Sequence, residues 1–168
     1  MGFQVVEGLA STVQGRWRTA PDGLWCPLAL AGAPALLCKP HTYMNRSGQT
    51  VARLATQHEV PAARILVVHD DVDLPMGTLR LKAGGGHGGH NGLRSIVAEL
   101  GEPGFLRVRL GIGRPPDGDV VAWVLGDHSP DHRRALRDVV SRAAEAIRAV
   151  VEHGFARAAN TCNVKPPR

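Results

Sequence analysis

Ile65-Leu66-Val67-Val68-His69 runs apolar out of a turn that contains Pro61 and leads into Asp70-Asp71-Val72-Asp73-Leu74-Pro75. A strand covered on both faces loses the polar alternation of a surface strand, so this run reads as a buried parallel strand. Parallel strands need helical crossovers, and the flanking sequence supplies both element types. On the C-terminal side, Thr78 to Lys82 and Leu106 to Ile112 alternate as strands do. On the N-terminal side, Leu24 to Leu30 and Ala35 to Lys39 read as a hairpin joined by Ala31-Gly32-Ala33-Pro34. Phe3 to Ala10 has helical spacing but no capping residue. Ser47 reads as the cap of a helix whose apolar stripe is Val51, Leu54 and Ala55. The longest helix spans Pro130 to His153, with Leu136, Val139, Val140, Ala143, Ile147, Val150 and Val151 on one face and Gly154 as its C-cap. Arg114-Pro115-Pro116-Asp117-Gly118 is a break, and Val120 to Leu125 fits strand or helix equally. Strands interleaved with helices, without internal repeats, make the fold class α/β around a mixed sheet.

The 168 residues suffice for one domain with a proper core. No apolar run approaches membrane-spanning length, and no signal peptide is visible at the start. Cys26, Cys38 and Cys162 share no metal-ligand spacing and read as reduced thiols of a cytoplasmic protein. A formal charge of +5, carried mostly by Arg and accompanied by few aromatics, points to a polyanion held through its phosphates. Arg-rich codon usage in a GC-rich genome is the competing explanation of that charge.

Between two of these elements lies Gly84-Gly85-Gly86-His87-Gly88-Gly89-His90-Asn91-Gly92. A run so rich in glycine works through its backbone, because glycine allows positive φ and close approach of another molecule. Asn91 reads as the N-cap of a helix over residues 93–100, where successive free N–H groups would make an anion site. Ligands of open α/β sheets collect at the carboxyl ends of strands, where Asp70 stands. Asn45, in the turn-rich loop 42–48, and Asn91 could face the same crevice. A carboxylate with two amides suits orienting a base, holding a water and donating to a carbonyl. Other chemistries fit poorly. The glycines satisfy G-x-G-x-x-G only trivially, with no acid-bearing strand at dinucleotide spacing. There is no G-K-[ST] and no G-x-S-x-G, and His87 and His90 have no third metal ligand in view.

Four stretches carry a closer likeness: Lys39 to Gly48, Val68 to Gly77, Lys82 with the glycine loop, and Arg107-Val108-Arg109-Leu110-Gly111-Ile112-Gly113. In order and spacing they closely resemble bacterial peptidyl-tRNA hydrolases, from Phe3 into the C-terminal helix. The resemblance implies a three-layer α/β/α sandwich around a twisted mixed β-sheet, in a monomer. The activity it implies is hydrolysis of the ester joining a peptide to the tRNA 3′ end, without metal or cofactor. It places Asp70 as the carboxylate that holds the catalytic imidazole, and Asn45 and Asn91 as amides that position substrate and water. Tyr43 and Met44 would line the crevice for the 3′ end and peptide, with His90 beside it. Lys82 and Arg109 would grip the tRNA 5′-phosphate.

One family feature is missing from the sequence. The general base is a His in Arg-His-Asn-[Ala/Val]-Gly, after a strand and a Gly-Asn-Pro-Gly loop, and only Gly2-Phe3 resembles the end of that stretch. His41, His69, His87 and His90 have their own family counterparts. Residues 1–168 alone are therefore expected to have little esterase activity, since a general base supplies about 10²–10⁴-fold in rate. Met1 is expected to be an internal valine codon read as a start, with the strand and histidine loop encoded upstream. The alternative reading is a catalytically inactive RNA-binding relative.

Overall fold

The computed structural model describes residues 1–115, 123, 126 and 129–163. Its elements are α1 (Gly2–Thr12), β1 (Arg18–Ala20), β2 (Gly23–Leu30), β3 (Ala33–Pro40), a 3₁₀ turn (Met44–Arg46) and α2 (Ser47–Gln57). After a second 3₁₀ turn (Ala62–Arg64) come β4 (Leu66–Asp71), β5 (Leu79–Ala83), α3 (Asn91–Leu100) and β6 (Leu106–Gly111). The last two are α4 (Pro130–His153) and α5 (Phe155–Cys162). The chain is α/β, as the strand and helix periods imply. It divides into two compact units: Met1–Leu9, Val68–Lys82 and Val108–Arg168 form one, Ala10–Val67 and Ala83–Arg107 the other.

The first unit holds most of a three-stranded sheet of order β4-β6-β5. Leu106 N donates to Ile65 O and Ile112 N to Asp71 O, so β4 and β6 run parallel. Gly111 N donates to Thr78 O and Gly84 N to Phe105 O, so β5 is antiparallel and the sheet is mixed. β5 is an edge, and a bare edge leaves ladder groups unpaired. Asn163 covers it with its side-chain amide, donating Nδ2 to Leu81 O at 2.9 Å and accepting from Leu81 N at 2.8 Å. Val108, Leu110, Val139 and Ala143 are fully buried in this unit, whereas Val151, expected on the apolar face of α4, is 37% exposed. Ser129 caps α4 by accepting from His132 N, and Gly154 ends it. The segment expected to be strand or helix, Val120 to Leu125, lies mostly outside the described residues.

In the second unit β1, β2 and β3 make an antiparallel meander, and β1 is a strand the sequence reading does not contain. The expected four-residue hairpin turn is shorter. Ala33 and Pro34 already pair with Leu30 and Ala29, so only Ala31 and Gly32 turn, both at positive φ. Two such residues match the twist of the flanking strands, which justifies the roughly 1–2 kcal/mol that alanine costs there. Leu93, Ile96 and Phe105 form this unit's core with Val51, Ile65, Val67, Val97 and Leu100 against them. Burial of such a side chain contributes about 1.5–3 kcal/mol. Helices α2 and α3 meet closely because Gly48 has no side chain; a Cβ there would clash with the Ser95 carbonyl. Gly48 N donates to Ser95 Oγ at 2.9 Å, so α3 satisfies an N–H of the first turn of α2. Ser47 is not the cap expected of it: it is the first helical residue, and its Oγ donates to Met44 O at 3.0 Å.

Candidate functional site

In the second unit, the 3₁₀ turn carries Met44 and Asn45 against the start of α3. Gly92 makes room for Met44 and for the His90 ring, since a Cβ there would sit 2.7 Å from Met44 Sδ and 3.0 Å from His90 Cε1. Asn45 and Asn91 line one cavity of about 220 Å³, together with Arg94, Ser95, Ala98 and Glu99. Of the three groups expected to face one crevice, the two amides line this cavity, with Arg94 and Glu99 beside them, while Asp70 belongs to the other unit. Arg94 and Glu99 fall within the helix expected over residues 93–100, and nothing in the sequence singled them out. On the other side of the turn, Tyr43 and Met44 stand 82% and 60% exposed. Tyr43 also borders a wider cavity with Pro21, His41, Thr42, Arg46 and Gln49.

The cap of α3 differs from expectation. Asn91 is the first helical residue, and His90 is the cap: its Nδ1 accepts from Gly92 N at 3.1 Å and Leu93 N at 3.2 Å. An Nδ1 that accepts must be unprotonated, so the neutral ring carries its proton on Nε2. His90 O accepts from Arg94 N as well. The N–H groups of the α3 terminus are therefore taken up by His90, and the anion site expected there is not formed by Gly92, Leu93 or Arg94. His87 braces the loop the same way, its Nδ1 accepting from Gly89 N at 3.1 Å.

In the first unit, the acidic stretch begins inside β4 rather than after it: Asp70 and Asp71 are its last two residues. Asp70 Oδ1 is buried and accepts no hydrogen bond; the Met1 amino nitrogen lies 3.6 Å away as an ion pair. Gly2 brings the chain's first residues there, packing so close to the Val68 carbonyl that a Cβ would come within 2.6 Å of it. The neighbouring His69 is 7% exposed, with Nδ1 2.8 Å from Asp70 O. A carbonyl oxygen can only accept, so Nδ1 is the donor in that bond.

Asp71 takes a different partner. Its Oδ2 accepts from Arg109 Nε at 2.7 Å, and its Oδ1 from Asp73 N at 3.0 Å. Burial raises the Asp71 pKa, but the hydrogen bond and charge of Arg109, the Asp73 N–H and the charge of His69 outweigh it and hold it below the ordinary 3.8. Asp73 in turn pairs with Arg114 at 2.5 Å. The pairing of Gly111 with Thr78 puts Arg109 directly opposite Arg80, so Arg80, Lys82 and Arg109 share one face of the sheet. Lys82 is exposed, while Arg109, 26% exposed, is tied to Asp71. Among the described residues no group of three or more His, Cys, Asp or Glu is placed to hold a metal, and no helix is long and apolar enough to cross a membrane.

These observations meet the comparisons with known proteins. The family model described as Peptidyl-tRNA hydrolase matches residues 1–168. A peptidyl-tRNA hydrolase of Rubrobacter xylanophilus is 44% identical over 165 residues, 98% of this chain and 90% of the relative. One from Halorhodospira halophila is 47% identical over 149 residues, 87% of this chain and 77% of the relative. The crystal structure of peptidyl-tRNA hydrolase from Acinetobacter baumannii superposes with a TM-score of 0.91 at 35% identity, covering 99% of this chain and 86% of that one. The match does not itself show the missing strand and histidine loop expected at the start. With the whole of residues 1–168 matched by the family model and relatives 44% and 47% identical over most of the chain, the chain belongs to the peptidyl-tRNA hydrolase family.

Proposed function

We propose that the protein hydrolyses the ester between a peptide and the 3′ end of tRNA, freeing the tRNA for another round of translation. The observation that carries this reading is Asp70. A buried carboxylate oxygen with no hydrogen bond is costly unless a partner completes it. An imidazole held there would stay in the tautomer that accepts a proton from water. Gly2-Phe3 resembles the end of the family's histidine motif. The 3.6 Å between Met1 N and Asp70 Oδ1 supports the assignment, since the motif ends beside this carboxylate.

Water attacks the ester carbonyl carbon as the base removes its proton. The C–O bond to the ribose then breaks, and the proton passes to the departing hydroxyl. Asn45 and Asn91 are suited to hold the carbonyl and the water, because an amide both donates and accepts. Tyr43, Met44 and His90 border the path of the 3′ end and peptide. Lys82 and Arg109, on one sheet face, contact a phosphate, and Arg109→Ala weakens tRNA binding and flattens its salt dependence by about one unit of slope. The protein works as a cytoplasmic monomer, without metal or cofactor.

The test is peptide release from an N-acylated aminoacyl-tRNA by the protein as its cell makes it, beside binding of deacylated tRNA. Release with turnover supports the reading. Tight tRNA binding with no release would replace it with an RNA-binding relative that has lost the reaction.

A further inference from the structure

The glycine loop is turned outward by an arginine that the proposed chemistry does not use. Arg107 is 3% exposed, with its guanidinium 4.8 Å from the centroid of the Phe105 ring. Nη1 donates to Gly86 O at 2.6 Å and Nη2 donates to Gly85 O. All of these residues lie in the second unit. No peptide bond described is cis, and in a trans peptide the N–H points opposite to the C=O of the same unit. Two carbonyls drawn onto Arg107 therefore send the N–H groups of Gly86 and His87 the other way. Among the described residues neither N–H donates a hydrogen bond.

Gly86 itself supplies the second observation. Gly84, Gly85, Gly88 and Gly89 all have positive φ, which explains their lack of a side chain. Gly86 does not, and a Cβ there would meet nothing within 4 Å. Nothing within the fold requires glycine at this position. A molecule approaching the peptide from outside would.

We propose that the outward N–H groups of Gly86 and His87 bind a phosphate oxygen of an RNA strand, with Arg107 polarising both peptide units from behind. Consecutive amides that converge on one anion form a site of this kind without any cationic side chain in contact. The absent side chain at Gly86 lets the phosphate come within hydrogen-bond distance. The site is distinct from the start of α3, whose N–H groups His90 occupies. The proposal rests on the reading of tRNA as the substrate, and the experiment separates the two.

Deacylated tRNA binding is measured over a salt series for the natural protein and for Gly86→Ala, with urea unfolding of both. Gly86→Ala is expected to unfold at the same urea concentration yet bind about tenfold more weakly, the loss of a charge-assisted hydrogen bond. The salt slope stays unchanged, because a neutral donor releases no counterion of its own, and inorganic phosphate competes less well with the variant. Arg107→Lys, which keeps the charge but not the two-pronged hold, is expected to weaken binding less. If Arg107→Lys unfolds, Gly86→Ala still decides. Unchanged affinity of Gly86→Ala overturns the site, even where hydrolysis falls, because that pattern belongs to the reacting ester and not to a phosphate. Failure of the natural protein to bind tRNA overturns this proposal and the substrate reading together.

Discussion

The end of β4 and the two residues after it present three carboxylates within four residues, each with a cation beside it: the Met1 amino group at Asp70, Arg109 at Asp71 and Arg114 at Asp73. The loop before α3 has no carboxylate, lysine or arginine between Gly84 and Gly92 and is shaped by backbone bonds to two imidazoles and a buried guanidinium. The first region presents side chains from a strand end, so one can be altered without moving the backbone. The second presents peptide groups, so what matters is which way they face. Function at β4 should therefore be lost by changes of charge, and at the loop by changes of shape or capping.

The largest effect expected is at β4. Asp70→Asn keeps the size of the side chain but removes the charge proposed to hold the base, and peptide release should fall by about 10²–10⁴-fold. Deacylated tRNA should bind as before. A loss of less than tenfold would remove Asp70 from the role given to it.

Next in size is a change of shape alone. Gly48→Ala puts a methyl group against the Ser95 backbone, where no side chain can swing aside. Overpacking of this kind costs about 1–3 kcal/mol, read as a lower urea midpoint. A variant as stable as the natural protein would mean that α2 and α3 part readily.

His90→Ala should cost about 0.5–2 kcal/mol through loss of the α3 cap, whereas His90→Asn, whose carbonyl oxygen can accept in its place, should restore most of it. Equal destabilisation by both would show that the ring matters for packing rather than for its Nδ1.

The smallest effect concerns pH. The Asp71 pKa is lowered in the folded state, so its pairing with Arg109 contributes fully above the ordinary value of 3.8. That contribution disappears as the pH falls below 3.8 through the lower folded value. Arg109 is partly exposed, which limits the contribution to about 1 kcal/mol. Arg109→Ala should flatten this part of the stability curve, and an unchanged acid limb would mean that Asp71 is held by other groups.

Much of the fold is legible because burial leaves a periodic mark on the sequence. The apolar run at β4, the alternation in β5 and β6 and the stripe of α4 all correspond to elements of the structure. The misses share a cause. β1 is only three residues long, too short for a period to show. Asn91 outranked His90 as a cap because capping preferences reflect side-chain oxygens, and an imidazole serves only when its tautomer leaves Nδ1 free. That Asn45 and Asn91 could face one crevice was expected from their places in a loop and at a helix start, but the side chains that complete their cavity, Arg94 and Glu99, carried no sign of it.

What the sequence determined by itself is the set of local choices. Apolar spacing decided strand or helix, glycine decided where the chain could turn or be approached, and four motifs decided the family. Each depends on residues close together in the chain, whose energies are settled before distant segments meet. Only the tertiary structure decided how those groups are used. Arg107 could equally have been an exposed cation on an alternating strand. It is buried under the glycine loop because Phe105 gives its guanidinium a surface and two carbonyls turn inward to accept from it. The direction of a peptide group depends on what its carbonyl finds across space, and that partner lies more than twenty residues further along the chain.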